Sequence, residues 1–320
     1  MIGMELKHII GLLYHSLYKM PINRWKNRRN ILHPREVISD IFISLGRTMN
    51  WDNPQTLDEK IQWLKFNSDT SWWVWLSDKY RVREYVKQRG LEDMLVPLLG
   101  KWDKVVDIDW KKLPNTFIMK TNHGSADAML CKEKERINIS EWKYHFILAL
   151  KRKYGINNCE FHYSNIKPCI IAEKLLDSSK QSIHSSSLVD YKVWCVNGEP
   201  KYIWVCYDRD VKSVKVMMYD LDWKAVPEKC IDTEHYRIAN TQIPCPKTYE
   251  KMLNAARILA NDFPIVRVDF YEVEEKLYFG ELTFTAAGGF NTFYSEEFQI
   301  EIGTQIDLSL AAVRHKNHAE

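Results

Sequence analysis

Two apolar runs of alternating character, Ile265-Val-Arg-Val-Asp-Phe-Tyr-Glu-Val273 and Leu277-Tyr-Phe-Gly-Glu-Leu-Thr-Phe-Thr285, are separated only by Glu274-Glu275-Lys276. This pattern predicts an antiparallel hairpin, and it sets Arg267, Asp269 and Glu281 on neighbouring strands. An ionised carboxylate is too costly to bury alone, so each acid needs a cation beside it. One reading is an ion pair with Arg267, the commoner explanation for any such pair taken singly. The other is a hard cation such as Mg2+, which one or two carboxylates hold together with phosphate oxygens. Thr283, Thr285 and Gly288-Gly289 follow at once, and such small residues let backbone approach a ligand closely.

The 320 residues are 45% hydrophobic, enough for one large domain or two modest ones. A net charge of +3 from 45 basic and 42 acidic residues argues against nucleic acid as a partner. Residues 1–35 carry a local +6, which leaves −3 for the remainder. The seven cysteines are odd in number, lack a C-x-x-C pair and sit mostly in apolar runs, as thiols of a reducing compartment do. No apolar run reaches the roughly 18 residues of a membrane span. Lys7, His8 and His15 interrupt the N-terminal apolar stretch, so it does not read as a signal peptide, and a cytoplasmic location is expected. Ile2, Leu6, Ile9, Ile10, Leu13 and Leu17 keep helical spacing ahead of a basic cluster at Arg24 to Arg29. Residues 1–30 can therefore make peripheral contact with an anionic membrane face, or dock on the protein's own core, the more frequent fate of such helices.

The first hundred residues read as helical. Thr56-Leu-Asp-Glu59 is a capping box opening a helix through Trp63 and Phe66, and a second helix spans Asp78 to Gln88 before Gly90. Trp72-Trp73-x-Trp75 is a packing surface or a sugar platform, the first being commoner. Beyond Pro97, Thr116–Lys120 and Ala128–Cys131 form a hairpin whose tip, residues 121–127, offers backbone amides to phosphate oxygens with Lys120 at its base. Residues 139–154 predict a helix capped by Ser140, and 169–176 a buried strand. The serine-rich stretch 177–187 reads as a disordered or substrate-gated loop. Strands 189–196 and 201–207 meet at an Asn197-Gly198 turn, and 248–261 is helical.

In order, these elements resemble the ATP-grasp superfamily and are most similar to its TupA-like branch of bacterial polysaccharide and teichuronopeptide biosynthesis. The likeness rests on Asn53-Pro-Gln-Thr-Leu-Asp-Glu-Lys, Ser77-Asp-Lys-Tyr-Arg-Val-Arg, Val96-Pro-Leu-Leu-Gly, Ile118-Met-Lys-Thr-Asn-His-Gly-Ser, Asp190-Tyr-Lys-Val-Trp-Cys-Val and Arg267-Val-Asp-Phe through Gly280-Glu-Leu-Thr, over roughly residues 50 to 305.

The resemblance implies an α+β ATP-grasp fold: a helical region over 1–95, a small lobe over 96–173 and a large lobe over 174–320 that clamp ATP and Mg2+ between them. It implies activation of a carboxylate as an acyl phosphate that an amine then attacks. Lys120 would contact the ATP phosphates under a loop containing His123, Gly124 and Ser125, with His123 either donating to phosphate or structuring the loop. Glu173, Lys174 and Leu176 would form the adenine hinge. Asp269, Glu281 and Thr283 would hold Mg2+, Thr283 standing where many relatives place Asn. Lys192, Arg209 and Arg267 would neutralise the transferred phosphoryl group, work that calls for positive charge more than for a general base. The expected substrates are an amino acid and a small-molecule or lipid-linked saccharide. A glycosyltransferase and a non-catalytic nucleotide-binding protein are the competing expectations; against the first, Asp208-Arg-Asp210 and Asp220-Leu-Asp222 lack the surroundings of a nucleotide-sugar site.

Overall fold

The computed structural model describes residues 20–312; the amphipathic stretch over residues 2–17 lies outside the described residues. Four short strands, β1 (Leu98–Trp102), β2 (Phe117–Thr121), β3 (Met129–Cys131) and β4 (Ile170–Glu173), form an antiparallel sheet in the order β1-β4-β2-β3. Six more, β5 (Asp190–Val196), β6 (Glu199–Tyr207), β7 (Val214–Tyr219), β8 (Tyr236–Ile238), β9 (Ile265–Val273) and β10 (Lys276–Thr283), form a second sheet in the order β10-β9-β5-β6-β7-β8. Among the described strand pairs only β7–β8 is parallel.

The helices are α1 (Met20–Leu32), α2 (Pro34–Ser44), α3 (Leu57–Asn67), α4 (Ser71–Leu76), α5 (Val82–Gln88), α6 (Ile139–Lys151), α7 (Phe161–Ser164), α8 (Tyr249–Ala260) and α9 (Glu296–Gln305). None of the described helices is long and apolar enough to cross a membrane. The small sheet has its own core, in which Phe117, Met119, Ile170 and Ala172 meet Trp142 and Phe146 of α6. Helices α3 to α5 pack elsewhere: Leu57, Ile61, Leu64, Tyr85 and Val86 share one core with Val193, Val205, Val268 and Leu282 of the larger sheet.

Local chemistry explains most boundaries. Thr56 and Glu59 form the reciprocal capping box of α3, with the Thr56 amide donating to Glu59 at 2.8 Å. Asn138 caps α6 in place of Ser140, because Asn138 has extended dihedrals and accepts from Ser140 N at 3.1 Å, whereas Ser140 already lies inside the helix. Helix α5 starts at Val82 and not at Asp78, since the Asp78 carboxylate accepts from the Tyr80 and Arg81 amides and holds 78–81 as a turn. The β9–β10 link turns on Glu274 and Glu275 alone, both left-handed at φ 54° and 57°, a conformation glutamate rarely adopts. Lys180 and Lys247 pair with these two glutamates. The serine-rich loop is not loose: Ser185, Ser186 and Ser187 bond Asp208 and Arg209, and Gln181 accepts from Val189 N at 2.6 Å.

Candidate active site

Alternation along β2 buries Phe117 and Met119 in the small-sheet core and turns Ile118 and Lys120 to the other face. That face closes one side of a cleft of about 450 Å3 whose other side is the larger sheet, with Lys192, Asp269 and Glu281. Lys120 Nζ lies 2.7 Å from Glu173 Oε2, and Arg83 Nη1 reaches the other oxygen at 3.1 Å, so Glu173 is held by two cations. The chain then leaves β4 through Lys174, whose amide donates to Pro97 O at 2.9 Å, and Leu176 joins Val96, Leu188, Tyr271 and Tyr278 in an apolar wall. A flat apolar ring would fit against that wall.

Loop 121–127 is fixed from several sides. Thr121 bonds Asp127, the Asn122 amide donates to Cys169 O at 3.1 Å, and the Ser125 and Tyr154 hydroxyls lie 2.6 Å apart. Lys79 Nζ donates to Gly124 O at 2.6 Å and lies 3.9 Å from Glu281 Oε2, bridging the loop to the opposite sheet. Gly124 and Ser125 line the cleft, but His123 does not. The His123 side chain is buried, with Nε2 3.1 Å from Arg152 O. Burial lowers its pKa, so the ring is neutral at pH 7. Of the two roles expected for it, this placement favours loop structuring, since the ring meets Arg152 and lies outside the cleft lining.

On the larger sheet, Asp269 and Glu281 are directly opposed across β9 and β10, beside a bulge at Gly280. A Cβ on Gly280 would sit 2.9 Å from Asp269 O, so the bulge needs glycine. Arg267 clamps Asp269 through Nε at 2.7 Å and Nη2 at 2.8 Å, and Lys192 Nζ adds a contact at 2.5 Å. Burial alone would raise the Asp269 pKa, but Arg267 and Lys192 outweigh it and hold the carboxyl below the usual carboxylate range. Thr283 Oγ1 accepts from Arg267 at 3.2 Å and donates to Glu281 at 3.1 Å. Arg267 lines no described cavity and stands behind Asp269 as its partner. Arg209 bonds Asp190 at 3.1 Å where the cleft meets a neighbouring cavity of about 710 Å3.

The donor set accommodates a divalent cation in part. A carboxylate has about four acceptor positions, of which Asp269 has three filled, while Glu281, a wall residue of the cleft, accepts from Thr283 and has Arg267 at 3.8 Å and Lys79 at 3.9 Å. Among the described residues no group of three or more His, Cys, Asp or Glu could hold a metal. A cation between Asp269 and Glu281 would thus draw its remaining ligands from water and phosphate, the arrangement Mg2+ favours.

Lys79, Arg83 and Asp190 are cleft residues to which the sequence reading assigned no role. The first two sit in what reads as a helix of the N-terminal region, and only the Asp78-capped turn shows that Lys79 points away from the helical core. Beneath the turn that follows β10, Lys65 Nζ donates to Asn158 O and Gly288 O, both at 2.8 Å, and Thr285 donates to Glu160 at 2.5 Å. Burial lowers the Lys65 pKa to about 8, against the opposing effect of Glu160. The folded chain thus releases this proton at a lower pH than the unfolded chain, whose value is 10.5, so stability rises with pH between about 8 and 10.5. Denaturant midpoints at pH 7 and pH 10 should show the wild type gaining on Lys65→Met; a pH-independent difference would contradict this assignment.

The family model described as TupA-like ATPgrasp matches residues 59–307. No curated protein matches the chain. Among solved structures, a D-alanine–D-alanine ligase of Helicobacter pylori is 15% identical with a TM-score of 0.41, covering 78% of this chain and 69% of its own. The Bacillus anthracis enzyme complexed with ATP is 11% identical at a TM-score of 0.40, covering 74% and 63%. A biotin carboxylase of Campylobacter jejuni is 11% identical at 0.43, covering 80% of this chain but only 55% of its own.

Proposed function

The chain belongs to the TupA-like ATPgrasp family, and on that premise we propose that it is an ATP- and Mg2+-dependent carboxylate–amine ligase of surface polysaccharide biosynthesis. One observation supports this reading above the others: Lys79, Lys120 and Lys192 converge on a single cleft that also presents the opposed acids Asp269 and Glu281. Phosphoryl transfer requires positive charge and positioning more than a base, and this residue set supplies both.

In this reading the adenine lies against Leu176 and Tyr271, and the phosphates run past Lys120 and the 121–127 loop towards Lys192. Bound Mg2+ would neutralise the phosphate charge between Asp269 and Glu281, with Thr283 beside them. Arg267 orients Asp269, and Arg209 acts with Asp190 at the hinge side. The γ-phosphoryl group passes to a carboxylate oxygen and ADP leaves. An amine then attacks the acyl carbon, phosphate departs, and the amine proton goes to solvent or phosphate. An amino acid and a sugar acid, free or lipid-linked, are the proposed substrate classes. The D-x-D segments give a glycosyltransferase no support, because Asp208 bonds Ser185, Ser186 and Lys215, and Asp220 caps the 220–224 turn.

ADP and phosphate release from Mg-ATP with an amino-acid panel and a uronic-acid acceptor tests the reaction. UDP release from a UDP-sugar instead would favour the glycosyltransferase. Saturating ATP at ~100 times its dissociation constant should stabilise the fold by about 2.7 kcal/mol, and no thermal shift with any nucleotide would remove the proposal. Lys79→Ala should weaken ATP binding about 10- to 100-fold, the usual weight of a hydrogen bond to a charged group, read by calorimetry. An unchanged affinity would return Lys79 to a purely structural role.

A further inference from the structure

The Trp72-Trp73-x-Trp75 cluster divides its labour. Trp73 is buried and stacks on Phe284 at 5.0 Å and 9°, so it belongs to the core. Trp72 is 49% exposed, with Trp75 against it edge-on at 5.5 Å. Beside Trp72 opens a separate cavity of about 360 Å3, walled by Leu64, Phe263, Pro264 and Ala311, within the usual range for small-ligand pockets of roughly 300–1,000 Å3. It shares no lining residue with the nucleotide cleft. Two carboxylates line it, Asp69 and Asp262. Asp69 accepts from the Ser71 amide at 2.9 Å; Asp262 is paired with Arg89 and keeps its side chain 48% exposed.

We propose that this pocket binds a pyranose ring, as a saccharide subsite distinct from the reaction cleft. An indole face meets the apolar C–H face of a sugar ring, while carboxylate oxygens accept from its hydroxyls. Two of the pocket's wall residues meet Phe284, the residue between Thr283 and Thr285: Trp73 stacks on it and Phe263 lies edge-on to it at 5.0 Å. The subsite stands on its own residues and does not require the ligase reading.

The test is saturation-transfer NMR and calorimetry on the full chain with cellobiose, N,N′-diacetylchitobiose and digalacturonate. A neutral disaccharide should bind, and digalacturonate reports whether the wall discriminates against a charged ring. Trp72→Ala should weaken the neutral sugar about tenfold, the weight of one aromatic contact, Trp72→Phe should restore most of it, and Asp262→Asn should weaken it. Lys120→Ala should leave it unchanged, which separates this site from the nucleotide site. Absence of neutral-sugar binding, equal binding by Trp72→Ala, or binding that appears only when residues 313–320 are removed would each overturn the proposal.

Discussion

Lys120→Ala is expected to lower ATP turnover about 100- to 1,000-fold while leaving the fold intact. Lys120 Nζ faces the cleft from β2, and its one described ionic partner is Glu173, itself also held by Arg83. Removing the amine therefore leaves no unpaired buried carboxylate, and the stability cost should stay within about 1 kcal/mol, as for ordinary substitutions of partly exposed residues. The loss at the phosphates is far larger. Deleting one preorganised donor at a developing charge typically costs about 100- to 1,000-fold in kcat. Steady-state ADP release and a urea midpoint, measured together, check both halves. A variant with normal turnover would place the phosphates elsewhere.

Asp269→Asn is expected to have the largest effect on stability of any single change in the cleft. The amide would face Arg267 and Lys192 with no compensating charge, and breaking a buried ion pair from one side costs about 3–5 kcal/mol. The folded Asp269 carboxyl is held below its unfolded value, so its contribution is complete above the usual carboxylate range and is lost as pH falls through the depressed folded value. The stability gap between wild type and variant should therefore be flat from pH 8 to pH 5 and close only in strong acid. Glu281→Gln separates folding from chemistry at the same place. Its side chain is 41% exposed, so stability should barely change while the Mg2+ dependence of nucleotide binding is lost.

Much of this site was legible in the chain because its strands alternate. Lys192 and Asp269 each stand between buried apolar strand neighbours, so the hairpin that carries Arg267, Asp269 and Glu281 was readable from alternation, whereas Lys120, on the other sheet, joined them only through the family resemblance. The capping box at Thr56 and the Asn197-Gly198 turn were legible for the same reason, since both are local. Lys79 and Arg83 were not, because their place depends on how the N-terminal helices lie against the larger sheet, and no sequence period records that contact. The Glu274-Glu275 turn carries no glycine or asparagine, so the sequence put three residues in the link where two suffice. His123 stood next to Gly124 in a polar loop, and only the fold reveals that its ring turns inward to Arg152.

Calorimetric titration of ATP into the wild type, Lys120→Ala and Glu281→Gln, each with and without Mg2+, tests the central claim most directly. One nucleotide per wild-type chain is predicted, bound more tightly with Mg2+, with binding lost in Lys120→Ala and the Mg2+ enhancement lost in Glu281→Gln. Failure of the wild type to bind ATP, or equal binding by all three proteins, would contradict it.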